Sequence, residues 1–328
     1  MRALITGITG MIGSHVARVL VARGDQVHGL VRWRSNLHNL AGIVDRIQMH
    51  LGDIQEDLLL RNLIRKSQPD VIYHFAAQAF NGVSWDSPRY TLTVNIFGTL
   101  NILETLREFN NRTTRVLMGC SSTAYGETTR TWEGPIPETA PLQPVTPYGV
   151  SKVTQELLGR QYFLCYGIPV VTARIFNQIG TGHTESAAIQ EFCRQVAMIE
   201  AGLQESVLRV GSLDAKRDFT DIRDSAPIFV KLAETGVPGE AYNVCSGHLV
   251  SMRELLDLAV SLARVKIRIE TDESRMRPYD EKVLEGDNSR LRKLTGWKPK
   301  TDLGRSIQDI LDYWRSEIAL RYPKAIAK

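Results

Sequence analysis

In the stretch TPYGVSK a tyrosine and a lysine, Tyr148 and Lys152, stand four residues apart. If the stretch is helical, both side chains leave the same face. Pro147 is suited to opening such a helix, because its missing N–H falls where no intrahelical partner exists. An ammonium beside a phenol favours the phenolate, so the pair could act as an acid or base near neutral pH. Tyrosine and lysine at this spacing also mark many ordinary helix surfaces. The pair gains meaning from Ser121 and Ser122, two hydroxyls that directly follow the apolar run RVLMGC.

A second constellation lies near residue 10. RALIT runs into GITGMIGSHVARVL, which spaces Gly7, Gly10 and Gly13 three apart where an apolar run gives way to an amphipathic one. Glycines so placed allow a tight strand-to-helix turn, the approach of a pyrophosphate to bare backbone, and close helix packing. Dinucleotide folds that prefer NAD carry an acid at the end of the second strand. This chain has Val31 there, followed by Arg32, Trp33, Arg34 and Ser35. Arg32, Arg34 and Ser35 offer planar cations and a hydroxyl to a ribose 2′-phosphate. A solvated basic loop would share that composition, but the missing acid tips the expectation to NADP(H) over NAD(H). Asp53, between Gly52 and Ile54, could accept the adenine amino group or simply form a turn.

Both constellations need a scaffold that brings them together. Short apolar runs alternate with amphipathic stretches: RALIT, a helix from about Met11, QVHGLV, a helix near Glu56 to Lys66, DVIYHF, a long helix near Tyr90 to Phe109, RVLMGC, the helix at Pro147, and PVVTARIF. This βαβα rhythm predicts an α/β fold, a Rossmann-type doubly wound parallel sheet of about seven strands by residue 176. From Gln178 the rhythm breaks into a helix near Ala187 to Ala201, short runs such as VLRV and YNV, and turn-rich RMRPYDEK. These predict a smaller C-terminal mixed α/β lobe over the strand ends where open α/β sheets place ligands. The expected division is 1–176 for the dinucleotide and 177–328 for the substrate, with part of 220–245 returning to the first unit.

Composition narrows the classes. Of 328 residues, 43% are hydrophobic and 23% charged, ordinary globular values. The net charge of +4 comes from 40 basic and 36 acidic residues without a basic block, so nucleic acid is not an expected partner. No apolar run approaches the length of a bilayer span, and a strand-like segment from Arg2 leaves no room for a leader, so a cytoplasmic protein is expected. Cys120, Cys165, Cys193 and Cys245 lack metal-site or redox spacing, and buried reduced thiols are expected, with no metal.

The order GITGMIG, AAQ at Ala76 to Gln78, SSTAYG at Ser121 to Gly126, and PYGVSK resembles the extended short-chain dehydrogenase/reductases that modify nucleotide sugars. The resemblance covers nearly the whole chain. It implies a catalytic triad of Ser121, Tyr148 and Lys152, and adds Met11, Ile12, Ala76, Ala77, Gln78 and Asn95 to the cofactor contacts. Within the family, VHGLVRWRS is similar to GDP-mannose 4,6-dehydratases, whereas FNQIGTG, VGSLDAKRDFTDIRD, AYNVCSG and RPYDEKVLEGDNSRLRKLTGWKPK are similar to GDP-4-keto-6-deoxy-D-mannose reductases. By that likeness Ser122, Thr123, Asn177, Arg209, Lys216, Arg217 and Arg277 meet a GDP-linked sugar, and the helices near 90–109 and 147–166 form a homodimer interface. One residue departs from the dehydratase pattern. Thr123 stands where those enzymes carry a glutamate to remove the proton at carbon 5, and a lone hydroxyl is too weak a base. Reduction of a 4-keto-6-deoxyhexose with NADPH is therefore the expected activity. A 4-epimerase, a dehydratase, and, last, a non-enzymatic NADP sensor remain alternatives.

Overall fold

The computed structural model describes residues 1–275 and 282–323. Six parallel strands arise in chain order as β1 (Arg2–Thr6), β2 (Gln26–Val31), β3 (Ile47–Leu51), β4 (Val71–His74), β5 (Arg115–Ser121) and β6 (Val170–Ile175). Then come β7 (Asn177–Ile179), β8 (Val207–Val210), β9 (Lys216–Asp221) and β10 (Ala241–Val244). The main sheet runs β10-β6-β5-β4-β1-β2-β3, all parallel. Its order reverses between β1 and β4, the switch point at which a doubly wound sheet opens a crevice. The inner strands read as continuous apolar runs because helices cover both faces. Met11–Arg23 and Ile222–Thr235 pack on one side. Asp57–Ser67, Gly98–Glu108 and Pro147–Tyr166 pack on the other.

Local chemistry sets the helix ends that matter. Thr146 caps the helix Pro147–Tyr166 by accepting the Gly149 N–H at 2.9 Å, and Gly167 closes it in the left-handed conformation. The helix Met11–Arg23 starts at Gly10 without a side-chain cap, which leaves its first N–H groups facing the crevice. Gly7, at φ +73°, makes the turn. A Cβ on Gly13 would stand 2.3 Å from the Gly7 carbonyl oxygen, so only glycine lets the helix approach this closely.

Three expectations need correction. Residues 1–176 hold six strands of the main sheet and not about seven, and YNV, expected among the lobe's short strands, lies in its seventh, β10, within the 220–245 segment. The long helix near Tyr90 is Pro88–Leu92 and Gly98–Glu108 joined by a π-helical stretch, Thr93–Phe97, which carries the buried Asn95. Cys120, Cys193 and Cys245 are buried thiols, but Cys165 is exposed on the outer face of its helix.

The lobe contains β11 (Leu249–Ser251), β12 (Arg268–Thr271) and β13 (Val283–Leu284). β11, β9 and β13 form one small sheet with β7 beside β9, and β12 pairs with β8. Helices Ala188–Glu200, Met252–Ser261 and Leu303–Arg321 enclose its core around Phe192, Leu256 and Trp314. No described helix is long and apolar enough to cross a membrane.

The glycine turn yields a direct test. Gly13→Ala forces a backbone oxygen to move, and overpacking of this kind costs about 1–3 kcal/mol. The variant should melt several degrees lower and lose NADPH binding, read by thermal unfolding with and without cofactor. A variant that binds normally would show that the turn has slack.

Candidate active site

Between the C-terminal ends of the main-sheet strands and the lobe lies a cleft of about 820 Å³. One end is lined by Gly7, Gly10, Met11, Ile12 and Gly13, where bare backbone and uncapped helix N–H groups form a cradle suited to a pyrophosphate. Arg32, Ser35, Asp53 and Ile54 line the same end. Arg34 does not: its guanidinium lies over the exposed Trp33 ring, 4.2 Å from the centroid. Only Arg32 and Ser35 of the basic turn therefore face the cleft. Ala76 and Ala77 line it too, but Gln78 and Asn95 stand behind the wall. The Asn95 amide exchanges hydrogen bonds with the Gln78 backbone at 2.8 and 3.2 Å and donates to the Ser151 hydroxyl at 2.8 Å. The two residues tie the wall to the helix that carries Tyr148 and so support the site from behind.

A second buried tie lies beneath. His74 meets the Thr6 hydroxyl at 2.8 Å and the Thr99 hydroxyl at 3.0 Å, and the Thr6 oxygen also accepts the Ala76 N–H. Burial, with Lys152 nearby, pushes His74 down to about 3, so it stays neutral.

Ser121, Ser122, Thr123, Tyr148 and Lys152 come together on the cleft wall. Ser121 ends β5 and caps the short turn Ser122–Ala124, its Oγ accepting from Thr123 N at 3.2 Å and from Thr123 Oγ1 at 3.0 Å. Tyr148 faces Ser121 on this wall, and the serine favours its phenolate. Lys152 is 3% exposed, and its Nζ donates to the Gly119 carbonyl at 2.8 Å, its one hydrogen-bond partner among the described residues. An ammonium has three donors, so two remain for a ligand. Lys152 Nζ lies 5.6 Å from the Tyr148 ring centroid. The expected lowering of the phenol is not what results. Burial dominates and pushes Tyr148 up, despite the serine that favours the phenolate. Burial likewise pulls Lys152 down to about 8.

The lobe side is lined by Asn177, Arg209 and Arg217. Lys216 is turned away, because successive strand residues face opposite sides and Arg217 takes the inward one. Arg209 also pairs with Glu205 at the surface. Arg277 lies outside the described residues. The lining also holds residues that local sequence signals do not mark, His183, Glu191 and Arg275 among them. Glu191 pairs with Arg275 at 3.3 Å and with Arg194 at 2.9 Å. A residue before the RPYDEK turn and an acid in a helical first turn give no local signal of a ligand.

A pyrophosphate cradle at the switch point, with an acid pair and an orienting hydroxyl within reach of what it holds, defines an NAD(P)-dependent enzyme of the extended short-chain dehydrogenase/reductase class. The comparisons agree. A family model described as GDP-mannose 4,6 dehydratase matches residues 4–310. The chain is 33% identical over 321 residues to a GDP-6-deoxy-D-mannose reductase of Pseudomonas aeruginosa, covering 97% of this chain and 98% of that protein. It is 29% identical to GDP-mannose 4,6 dehydratase 1 of Arabidopsis thaliana over 94% of this chain and 88% of that protein. The structure of RMD from Pseudomonas aeruginosa complexed with NADPH superposes with a TM-score of 0.82 at 31% identity, over 97% of this chain and all of that one. The chain belongs to the GDP-mannose 4,6-dehydratase family of extended short-chain dehydrogenase/reductases.

The buried lysine makes a signed prediction. Its proton leaves the folded chain near pH 8 and, at the ordinary value of 10.5, the unfolded chain later. The cost of burying the charge is thus full below about 8 and is relieved as pH rises between the two values. Without cofactor, Lys152→Met should be more stable than the parent at neutral pH, by up to about 3 kcal/mol. The gap should narrow towards pH 10.5. Denaturant titration across this range checks it, and a gap that widens with pH would contradict the assignment.

Proposed function

We propose that the chain reduces carbon 4 of a GDP-linked 4-keto-6-deoxyhexose with NADPH. The observation that carries the reading is the Ser121, Tyr148 and Lys152 cluster beside Thr123, with no carboxylate among the described residues on that part of the wall. Among the described residues the cleft-lining acids are Asp53, at the pyrophosphate end, and Glu191, held by two arginines. Glu138, which could have served as a distant base, instead accepts the Asn243 N–H at 2.8 Å away from the cleft. Glu127 is also off the cleft wall. Among the described residues, proton removal from carbon 5 therefore lacks its base, and dehydration is disfavoured.

Bound NADPH supplies the hydride. Arg32 and Ser35 suit its 2′-phosphate, and the relative that shares this fold at 31% identity is complexed with that cofactor. Lys152 offers its two remaining N–H donors to the nicotinamide ribose. Tyr148 gives its proton to the oxygen at carbon 4, and its raised phenol suits a donor, because the proton is still present at neutral pH. Ser121 orients that oxygen. Arg209, Arg217 and Arg275 bring permanent positive charge towards the diphosphate, with Asn177, Ser122 and Thr123 nearer the sugar. We assign residues 1–176 with β10 and its preceding helix to the cofactor, and the rest to the nucleotide sugar. The four free thiols suit a reducing, cytoplasmic setting.

Given the 4-keto-6-deoxy derivative of GDP-mannose, the protein should oxidise NADPH and yield one 6-deoxyhexose per cofactor consumed. Given GDP-mannose and NADP+, it should form no keto sugar. Keto sugar from the second mixture would overturn the reading, and hexose interconversion without net cofactor use would make the chain an epimerase.

We further propose a homodimer. Val150, Leu157 and Leu164 recur every seven residues as an exposed apolar stripe along Pro147–Tyr166, and Phe97 is exposed on the neighbouring stretch. Burying such a stripe against its own copy is the economical solution. Light scattering should give a dimer for the parent and a monomer for Leu157→Glu. A monomeric parent would refute it.

A further inference from the structure

Thr123 matters here for what it does as much as for the glutamate it replaces. A hydroxyl has two acceptor lone pairs and one proton to donate. On Ser121 both acceptor positions are filled by one neighbour: the Thr123 N–H at 3.2 Å and the Thr123 Oγ–H at 3.0 Å. The proton of Ser121 is left as its only free hydrogen-bonding capacity, and Tyr148, whose phenolate the serine favours, is the reacting group beside it on the cleft wall. Thr123 is itself held in place. Its carbonyl lies 2.8 Å from where a side chain on Gly149 would begin, so the turn rests directly on the first turn of the helix bearing Tyr148. A β-branched threonine also has few side-chain rotamers to exchange.

We propose that Thr123 is a positioning residue that makes the Ser121 hydroxyl a one-way donor, aimed at the Tyr148 oxygen and the oxygen at carbon 4 of the sugar. In reduction, Tyr148 must pass its proton to the substrate. A serine free to rotate could accept that proton's hydrogen bond and hold it back. A serine with filled lone pairs cannot. It can only donate, first to the substrate carbonyl and then to the phenolate that Tyr148 becomes. Thr123 thus acts on the chemistry through Ser121, and its hydroxyl proton, spent on Ser121, is not offered to the sugar it lies beside. The inference rests on the proposed reduction for its kinetic consequence, but its electrostatic consequence holds for any chemistry at Tyr148.

The test is a double-mutant cycle with a titration beside it. Thr123→Val keeps the shape and removes the hydroxyl. It should lower kcat roughly tenfold with KM nearly unchanged, and Thr123→Ser should restore kcat to within about twofold. In a Ser121→Ala background, Thr123→Val should cost nothing more. Independently of turnover, tyrosinate absorbance of the NADP+ complex, taken as the difference from Tyr148→Phe, should show a Tyr148 midpoint displaced upward in Thr123→Val. Melting curves confirm that each variant folds. Multiplying losses in the double variant, a rise in KM alone, or an unmoved Tyr148 midpoint would each overturn the proposal. If no keto sugar is turned over at all, the function proposed above fails, while the titration still decides the role of Thr123.

Discussion

The chain buries an ammonium in the wall of its own cleft, and much of the architecture follows from that. Lys152 gives one N–H to the Gly119 carbonyl and keeps its charge at neutral pH against a burial cost that pulls it to about 8. A lone buried cation is tolerated only where it has a fixed acceptor and a partner still to come. The acceptor is fixed because Gly119 lies on β5, a central strand two residues from Ser121. The Cys120 thiol also reaches the Lys152 carbonyl at 3.5 Å. Strand and helix are thereby locked in register, and the lock sets where Tyr148 stands relative to Ser121.

Two polar ties keep this register from sliding. Neutral His74 joins β1, β4 and the helix Gly98–Glu108, while Asn95 joins the Ala76–Gln78 wall to the helix Pro147–Tyr166. Each tie is fully buried, so losing one partner would leave an unsatisfied group at a cost of about 1–3 kcal/mol. The π-helical stretch Thr93–Phe97 carries Asn95 at this junction. The cradle at Gly7 and Gly13 and the acid pair at Tyr148 and Lys152 are consequently parts of one rigid wall, which is what a transfer between a bound cofactor and a bound sugar requires.

Much of this was legible in the sequence. The glycine turn, the order of the first six strands and the Ser121, Tyr148 and Lys152 cluster follow from local signals: periodicity, a helix-opening proline, and hydroxyls after an apolar run. What was not legible depends on contacts distant in the chain. The count of about seven strands by residue 176 is not met because β10, drawn from the 220–245 segment, supplies the seventh only after the lobe has begun. Arg34 and Lys216 carry the same charge as their neighbours Arg32 and Arg217, and only stacking on Trp33 and strand alternation turn them away. Gln78 and Asn95 sit where cofactor contacts were expected, yet the Asn95 amide is consumed by the Gln78 backbone and Ser151, and the Gln78 amide by the Phe80 backbone. The direction of the Tyr148 shift was misjudged because burial, invisible in sequence, outweighs the neighbouring charge.

The central claim is that this wall delivers one hydride from NADPH to carbon 4 of the sugar while Tyr148 supplies the proton. Deuterium placed at either of the two positions of the nicotinamide carbon 4 tests it most directly, with the product examined by mass spectrometry and proton NMR. A single rigid wall predicts one deuterium at carbon 4 of the 6-deoxyhexose from one labelled epimer of NADPH and none from the other. Unlabelled product from both epimers, or label at another carbon, would contradict the account.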